Sequence, residues 1–300
     1  VNKPTAHGHR APREPVRLLA RTARGAAAGA AAALLLLVVA CTTGGGGAQP
    51  RPSAQGASGP AVRPPEPGAV FDYQIGGPYR PAKTVAAVAR DRSADPAEGV
   101  YNICYVNAYQ AQPGAETDWW HKHHPELLLR GVDGGLVIDE DWDEPLLDIS
   151  TPARRTAVMK VVGPWIDGCA ESGYDAVEPD NLDSWTRSQG LLTADDAVAF
   201  ARLLTDRGHA RGLAVAQKNT AELLDARDRT GFDFAVAEEC ARYDECAAYL
   251  TAYQGRVFAV EYRGRDFTAA CRAWAGKLSV TLRDREVRPA GEQGHLRRTC

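Results

Sequence analysis

From Phe71 onward, short runs of β-branched and aromatic residues alternate with longer stretches of helical periodicity. That alternation predicts a parallel sheet covered by helices. Candidate strands cover 71–75, 101–107, 146–149, 174–180, 213–219, 234–240, 256–262 and 278–284. Helical patterns run through 153–172, 194–207 and 245–253, and Thr193 with Asp196 three residues on has the spacing of an N-terminal cap. Eight β/α units in about 230 residues fit an α/β fold of the (β/α)8 TIM-barrel type. A doubly wound sheet is the main rival, but no glycine-rich phosphate loop follows the first strand. Residues 119–145 mix tryptophans, histidines and acids without a period and read as an elaborated loop.

The first 68 residues follow a different pattern. A basic stretch over 1–24 leads into the apolar run Ala26–Ala40, the form of an export signal too short to span a bilayer. Val38-Val39-Ala40-Cys41 resembles the lipobox of bacterial lipoproteins, so the signal is expected to end at Cys41, with that cysteine acylated and the protein anchored to the membrane on its extracytoplasmic face or secreted. Residues 42–68 are rich in Gly, Pro, Ala and Ser, cannot bury enough apolar surface to offset their ordering entropy, and read as a disordered tether. The folded domain is then 69–300.

Composition refines this picture. The chain holds 35 Lys and Arg against 38 Asp and Glu, and loss of the basic leader takes the net charge to about −8, which argues against nucleic acid as partner. A monomer is expected. Of seven cysteines, Cys41 is assigned to lipid, and the remaining six form an even set that favours disulfides in an exported chain. Six cysteines allow fifteen connectivities. The closely spaced Cys240 and Cys246 are the expected pair. Neither a CxxC pair nor a zinc-type Cys/His cluster occurs, the His121-Lys-His123-His124 group reads as a solvated loop, and no metal or cofactor is expected.

In a TIM barrel the chemistry sits at the C-terminal ends of the strands, where polar residues that close an apolar run carry the most weight. The runs here close on Asp72-Tyr73-Gln74, Asn107, Asp148, Glu178-Pro179-Asp180-Asn181 with Asp183 beyond, Gln217-Lys218-Asn219, Glu238-Glu239, and Glu261-Tyr262. Glycosidic cleavage needs one carboxylic acid to protonate the leaving oxygen and one carboxylate as nucleophile or base. The fourth and sixth candidate strands supply such a pair. Strand alternation puts Glu178 and Asp180 on one side, and Lys218 could hold a neighbouring carboxylate ionised. Asp72, Gln74, Asp148, Glu178, Asn181, Asp183, Gln217, Lys218, Asn219, Glu239 and Glu261 are candidates to line a sugar site. Trp185 is the first choice for a stacking platform, followed by Trp142, Trp119 and Trp120, whereas Trp165 and Trp274 fall in helical patterns and suit the core.

The segment GYDAVEPDNLDSW resembles the signature G-[FC]-D-G-V-[DE]-P-D-N-[VIL]-D of glycoside hydrolase family 114, the endo-α-1,4-polygalactosaminidases. FDYQIGG, ICYVNAY, WDEPLLDIS, AQKN, and AEEC followed by Cys246 are also similar, so the resemblance covers roughly residues 70–285. It implies a TIM barrel that cleaves α-1,4-linked galactosamine-containing polysaccharide with retention, with Asp180 as nucleophile and Glu238 as acid/base. Glu178 and Glu239 are the neighbouring alternatives. VNAY stands where relatives commonly have Ser-Ala-Gly, and the tail after Asp284 has no counterpart. A carbohydrate-binding lipoprotein without turnover, or a barrel glycosidase of α-galactosidase type, are the competing functions.

Overall fold

The computed structural model describes residues 61–300. The signal segment, Cys41 and most of the tether lie outside the described residues. The tether's end, 61–68, lies within them and is docked: Val62 packs against the barrel interior, and Tyr101 Oη donates to the Arg63 carbonyl at 2.8 Å.

Eight parallel strands are laid side by side in chain order: β1 (Phe71–Tyr73), β2 (Ala87–Asp91), β3 (Tyr101–Asn107), β6 (Ala176–Asp180), β7 (Ala214–Lys218), β8 (Phe234–Glu238), β9 (Val257–Glu261) and β10 (Ser279–Arg283). A hairpin of β4 (Ile138–Asp139) and β5 (Glu144–Pro145) stands apart from this sheet, and β11 (Arg297–Thr299) pairs antiparallel with β10. The sheet is a nearly closed TIM-type barrel. Between β1 and β10 there is a side-chain seam instead of a ladder, where Thr281 Oγ1 and Arg297 Nη2 each donate to the Phe71 carbonyl at 3.0 Å.

Three expectations about the elements need correction. The strand expected at 146–149 is not in the barrel: Leu146 and Leu147 form only isolated antiparallel bridges to Gln110 and Leu128. A short apolar run fits a buried loop as well as a buried strand. Its place in the count is taken by β2, whose AVARD sequence has too few large apolar residues to stand out. Nor does every strand lead into a helix, because Gly76, Gly77, Pro78 and Pro81 after β1, and Pro96 and Gly99 after β2, leave those connections irregular. The excursion after β3 contains α1 (Ala115–His123), which takes Trp119 and Trp120 out of the expected loop and into a helix.

The other helices follow the sequence pattern. α2 (Pro152–Glu171) starts at Thr151, whose side chain accepts from Arg154 N, with Pro152 in the first turn where its missing N–H costs nothing. α3 (Ala194–Ala210) opens with the full reciprocal cap: Asp196 N donates to Thr193 Oγ1 at 3.2 Å and Thr193 N to Asp196 Oδ2 at 3.0 Å. α4 (Arg227–Thr230), α5 (Cys246–Tyr253) and α6 (Gly264–Trp274) complete the cover.

Alternation along each strand separates two cores. Phe71, Tyr73, Ala87, Ala89, Ile103, Ala176, Ala214, Ala216, Phe234, Val236, Phe258 and Val260 fill the barrel. Alanines on one arc leave room for the phenylalanines, with Phe71 and Phe258 stacked at 4.3 Å between centroids. Cys104, Val106, Val177, Val215, Ala235, Ala237 and Ala259 point the other way, into the larger layer beneath the helices. Three disulfides tie the cover down: Cys104–Cys169, Cys240–Cys246 and Cys271–Cys300. The last of these fixes the tail, whose β11 also carries Arg297 to Asp72 at 3.0 Å.

Candidate active site

The inward parity that places Phe71, Ile103, Ala176, Ala216, Val236 and Val260 in the barrel also sends Tyr73, Tyr105, Glu178, Asp180, Lys218, Glu238 and Tyr262 to its C-terminal end. They meet on one ammonium. Lys218 Nζ lies 3.3 Å from Glu178 Oε1, 3.1 Å from Asp180 Oδ1 and 3.2 Å from Glu238 Oε2.

Each carboxylate also accepts from a tyrosine. Tyr73 Oη donates to Glu178 at 2.9 Å while accepting from Lys218 at 3.0 Å. Tyr105 Oη donates to Asp180 Oδ2 at 2.7 Å, and Tyr262 Oη makes a short hydrogen bond to Glu238 Oε1. Asn219 holds Glu238 from two sides, its Nδ2 donating to Oε2 at 3.0 Å and its Oδ1 accepting from the Glu238 amide at 2.7 Å.

Burial ranks the three acids. The Glu178 side chain is fully buried and that of Lys218 is 3% exposed, whereas Asp180 and Glu238 keep 16% and 22%. Glu178 and Lys218 are therefore the floor, and Asp180 and Glu238 are the two acids a ligand can reach. Their electrostatics differ accordingly. Burial pushes Glu178 up to about 7 despite the adjacent ammonium. Burial acts on Asp180 in the same sense but is outweighed by Lys218, Tyr105 and the Asn181 amide, so its carboxyl lies below the usual range. Lys218 is held well above its ordinary value, because the attraction of Asp180, Glu238 and Glu178 exceeds the cost of burying it.

The chain turns sharply after each of these strands. Asn181, Asn219 and Glu239 have φ of 67°, 50° and 57°, a left-handed conformation that costs an L residue energy unless its surroundings fix it. Asn181 is fixed by donating to Asn107 at 3.0 Å and to Glu144 at 3.1 Å. Glu144, beside the turn of the β4–β5 hairpin, is pushed up to about 7 by burial, with Asp180 and Asp139 adding to it.

Other residues expected at the site are turned away from it or engaged by protein partners. Asp72 and Gln74 have the opposite parity to Tyr73 and belong to the seam, bonded to Tyr79, Arg90 and Arg297. Gln217 points outward and accepts from Tyr253 Oη at 2.6 Å. Glu261 also faces outward, where it accepts from the Ala241 amide at 2.8 Å and is raised to about 7 by burial. Asp148 lies in the excursion after β3, capped by Ser150 and paired with Arg154. Asp183 pairs with Arg187, and Glu239 with Arg242. The Trp185 ring packs against the layer beneath the helices instead of standing free. Among the described residues, Cys240, Cys246 and Glu261 bring ligand-type atoms within 4.8 Å of one another, but both sulfurs are in a disulfide.

Sequence reasoning placed Tyr73 and Tyr262 at strand ends without giving them a role, and missed Tyr105 and Glu144. The tyrosines had a usable signal, since each is in phase with the inward positions of its own strand.

Two partly exposed carboxylates from different strands, held on one ammonium at the strand ends, meet the requirement of glycosidic hydrolysis. The molecule is a glycoside hydrolase of the barrel type. Residues 51–300 match glycoside-hydrolase family GH114, and the chain belongs to that family. Ega3 of Aspergillus fumigatus, crystallised with galactosamine, is similar over 82% of this chain and 100% of its own, with a TM-score of 0.65 and 22% identity. The glycoside hydrolase domain of PelA from Pseudomonas aeruginosa is similar over 76% and 98%, with a TM-score of 0.53 and 14% identity. At these identities the likeness is one of fold. No curated protein matches the chain.

Proposed function

We propose that this enzyme cleaves α-1,4-linked galactosamine-containing polysaccharide internally and with retention, using Asp180 as nucleophile and Glu238 as acid/base. The observation that carries the reading is that both carboxylates contact the same buried Lys218 while remaining partly exposed to solvent. Laid end to end, those two contacts limit the nearest carboxylate oxygens to about 6 Å apart, which favours direct attack by a carboxylate over the wider spacing that admits a water.

Asp180, kept anionic by Lys218, attacks the anomeric carbon as Glu238 gives its proton to the departing glycosidic oxygen. The glycosyl ester to Asp180 then breaks when Glu238 takes a proton from the incoming water, which restores both groups. Tyr262 and Asn219 hold Glu238 in place through both half-reactions, and Tyr105 does the same for Asp180. The amino-sugar substrate follows from the family motif GYDAVEPDNLDSW and is supported by the galactosamine bound to Ega3. An acidic site also suits a cationic sugar.

Reducing-end release from partially deacetylated α-1,4-galactosaminogalactan tests this, with Asp180→Asn and Glu238→Gln beside the parent. Activity in the parent and its loss in both variants is expected. Binding without cleavage by the parent would point to the non-catalytic reading, and release of monosaccharide alone would remove the endo assignment. Export and lipid attachment at Cys41 are part of the proposal. Incorporation of labelled palmitate that disappears in Cys41→Ser is the expected result.

A further inference from the structure

Trp119 and Trp165, remote in sequence from the strand-end residues, flank a cleft of about 530 Å³ between α1 and α2. No lining residue comes from the end of a barrel strand, and the site described above accounts for none of them. Its volume is in the range of small-ligand sites, roughly 300–1,000 Å³.

The aromatic walls are rigid. Trp120 is wholly buried behind them and stands edge-on to both rings, 5.5 Å from Trp119 and 5.8 Å from Trp165, at 84° in each case. Trp119 is further held by His123, stacked at 5.1 Å, and by His124 at 5.2 Å, and Trp165 by the Arg92 guanidinium, 4.2 Å from its ring centre. Despite this support Trp119 remains 38% exposed. A large apolar ring fixed in the open by three neighbours is poorly explained as core packing, since the fixing groups hold the ring in place without closing it off from solvent.

The rim carries both charges. Glu126, with 58% of its side chain exposed, sits beside His124 at 3.5 Å, and Lys160 is exposed on α2. Flat apolar faces within a rim of one acid and one base match a pyranose, whose C–H face stacks on indole while its hydroxyls and any ammonium group reach charged partners.

We propose that the cleft between Trp119 and Trp165 is a second carbohydrate-binding site, which holds a pyranose of the polymer away from the strand ends while another segment of the same polymer is cut. Its ligand class rests on the substrate reading given above. Tethering through two sites raises the effective concentration of polymer at the active site, and short oligomers that cannot span both gain nothing.

The test uses the full chain with soluble, partially deacetylated α-1,4-galactosaminogalactan. In an Asp180→Asn background, Trp119→Ala should bind the polymer roughly three- to tenfold more weakly, the loss of one stacked aromatic. With Asp180 intact, Trp119→Ala should raise KM for the polymer by a similar factor and leave kcat/KM on a short oligomer unchanged. Pro164→Arg, which puts a long side chain on the cleft wall, should reproduce both effects if Trp119→Ala unfolds. Equal binding by parent and both variants overturns the proposal, as does absence of polymer binding in all of them. A change of molecular mass in Trp119→Ala without a change in polymer binding overturns it in favour of a contact between copies. A parent that releases no reducing ends yet binds the polymer through Trp119 would sink the hydrolase reading and leave this site standing.

Discussion

Lys218 Nζ lies 3.1 Å from Asp180 Oδ1 at the floor of the barrel mouth, and this contact counters the effect of burial on Asp180. Burial raises Asp180, and the ammonium is the largest of the influences that bring it below the usual range. Charge of the right sign at the right place keeps it available as a nucleophile.

Lys218→Met should therefore cost activity by at least about a hundredfold and move the acidic limb of the kcat/KM profile to higher pH, because the largest influence opposing burial at Asp180 is then gone. Three carboxylates also lose their shared partner, and stability should fall by about 3–5 kcal/mol, the usual cost of leaving a buried charge unpaired. A pH–rate profile and a denaturant titration of one preparation test both effects. An unmoved acidic limb would remove Lys218 from the account of Asp180.

Tyr105→Phe and Tyr262→Phe each delete one hydroxyl that orients a reactive carboxylate. Each should lower kcat by about ten- to a hundredfold with little change in KM, since the group removed positions a catalytic side chain and not the sugar. A rise in KM alone would mean that these hydroxyls contact substrate instead.

Glu178, Glu144 and Glu261 are all raised by burial to about 7, above the ordinary glutamate value of 4.5. Between those two pH values the folded protein binds more protons than the unfolded chain, so this contribution is fully present below about pH 4.5 and is lost as pH rises through 7. Thermal stability should accordingly decline from pH 5 to pH 8. Glu261→Gln, outside the active site, should weaken the decline by about a third, as one of three comparable groups. A variant with the parental slope would show that Glu261 titrates normally.

Replacing Cys271 and Cys300 together by serine opens a loop of 29 residues and should cost about 3–4 kcal/mol by loss of the cross-link in the unfolded chain. For a domain of this size the melting temperature should fall by roughly 7–12 °C. Calorimetry of the double variant measures this, and non-reducing peptide mapping of the parent checks the three pairings.

Much of the architecture was legible along the chain because it rests on local periodicity and cap chemistry. The runs at 174–180, 213–219, 234–240, 256–262 and 278–284 each contain a barrel strand, and Thr193 and Asp196 mark the start of α3. Short segments are harder to read. Ala87–Asp91 has little apolar bulk and gives no strand signal, while Leu146 and Leu147 have bulk but lie in a loop.

The sequence by itself determined the α/β barrel class, the family motif around Asp180, and the shared phase of Glu178 and Asp180, because a period of two is a property of the strand alone. Only the tertiary structure decided which phase faces inward, and so separated Tyr73 from Asp72 and Gln74, Lys218 from Gln217, and Tyr262 from Glu261. Closure of the sheet sets that choice, since alternation fixes relative but not absolute orientation. The burial of Glu178 beneath Lys218, the tyrosine beside each carboxylate, and the bond from Cys271 to Cys300 likewise join residues distant in sequence, and no local pattern encodes which of them meet.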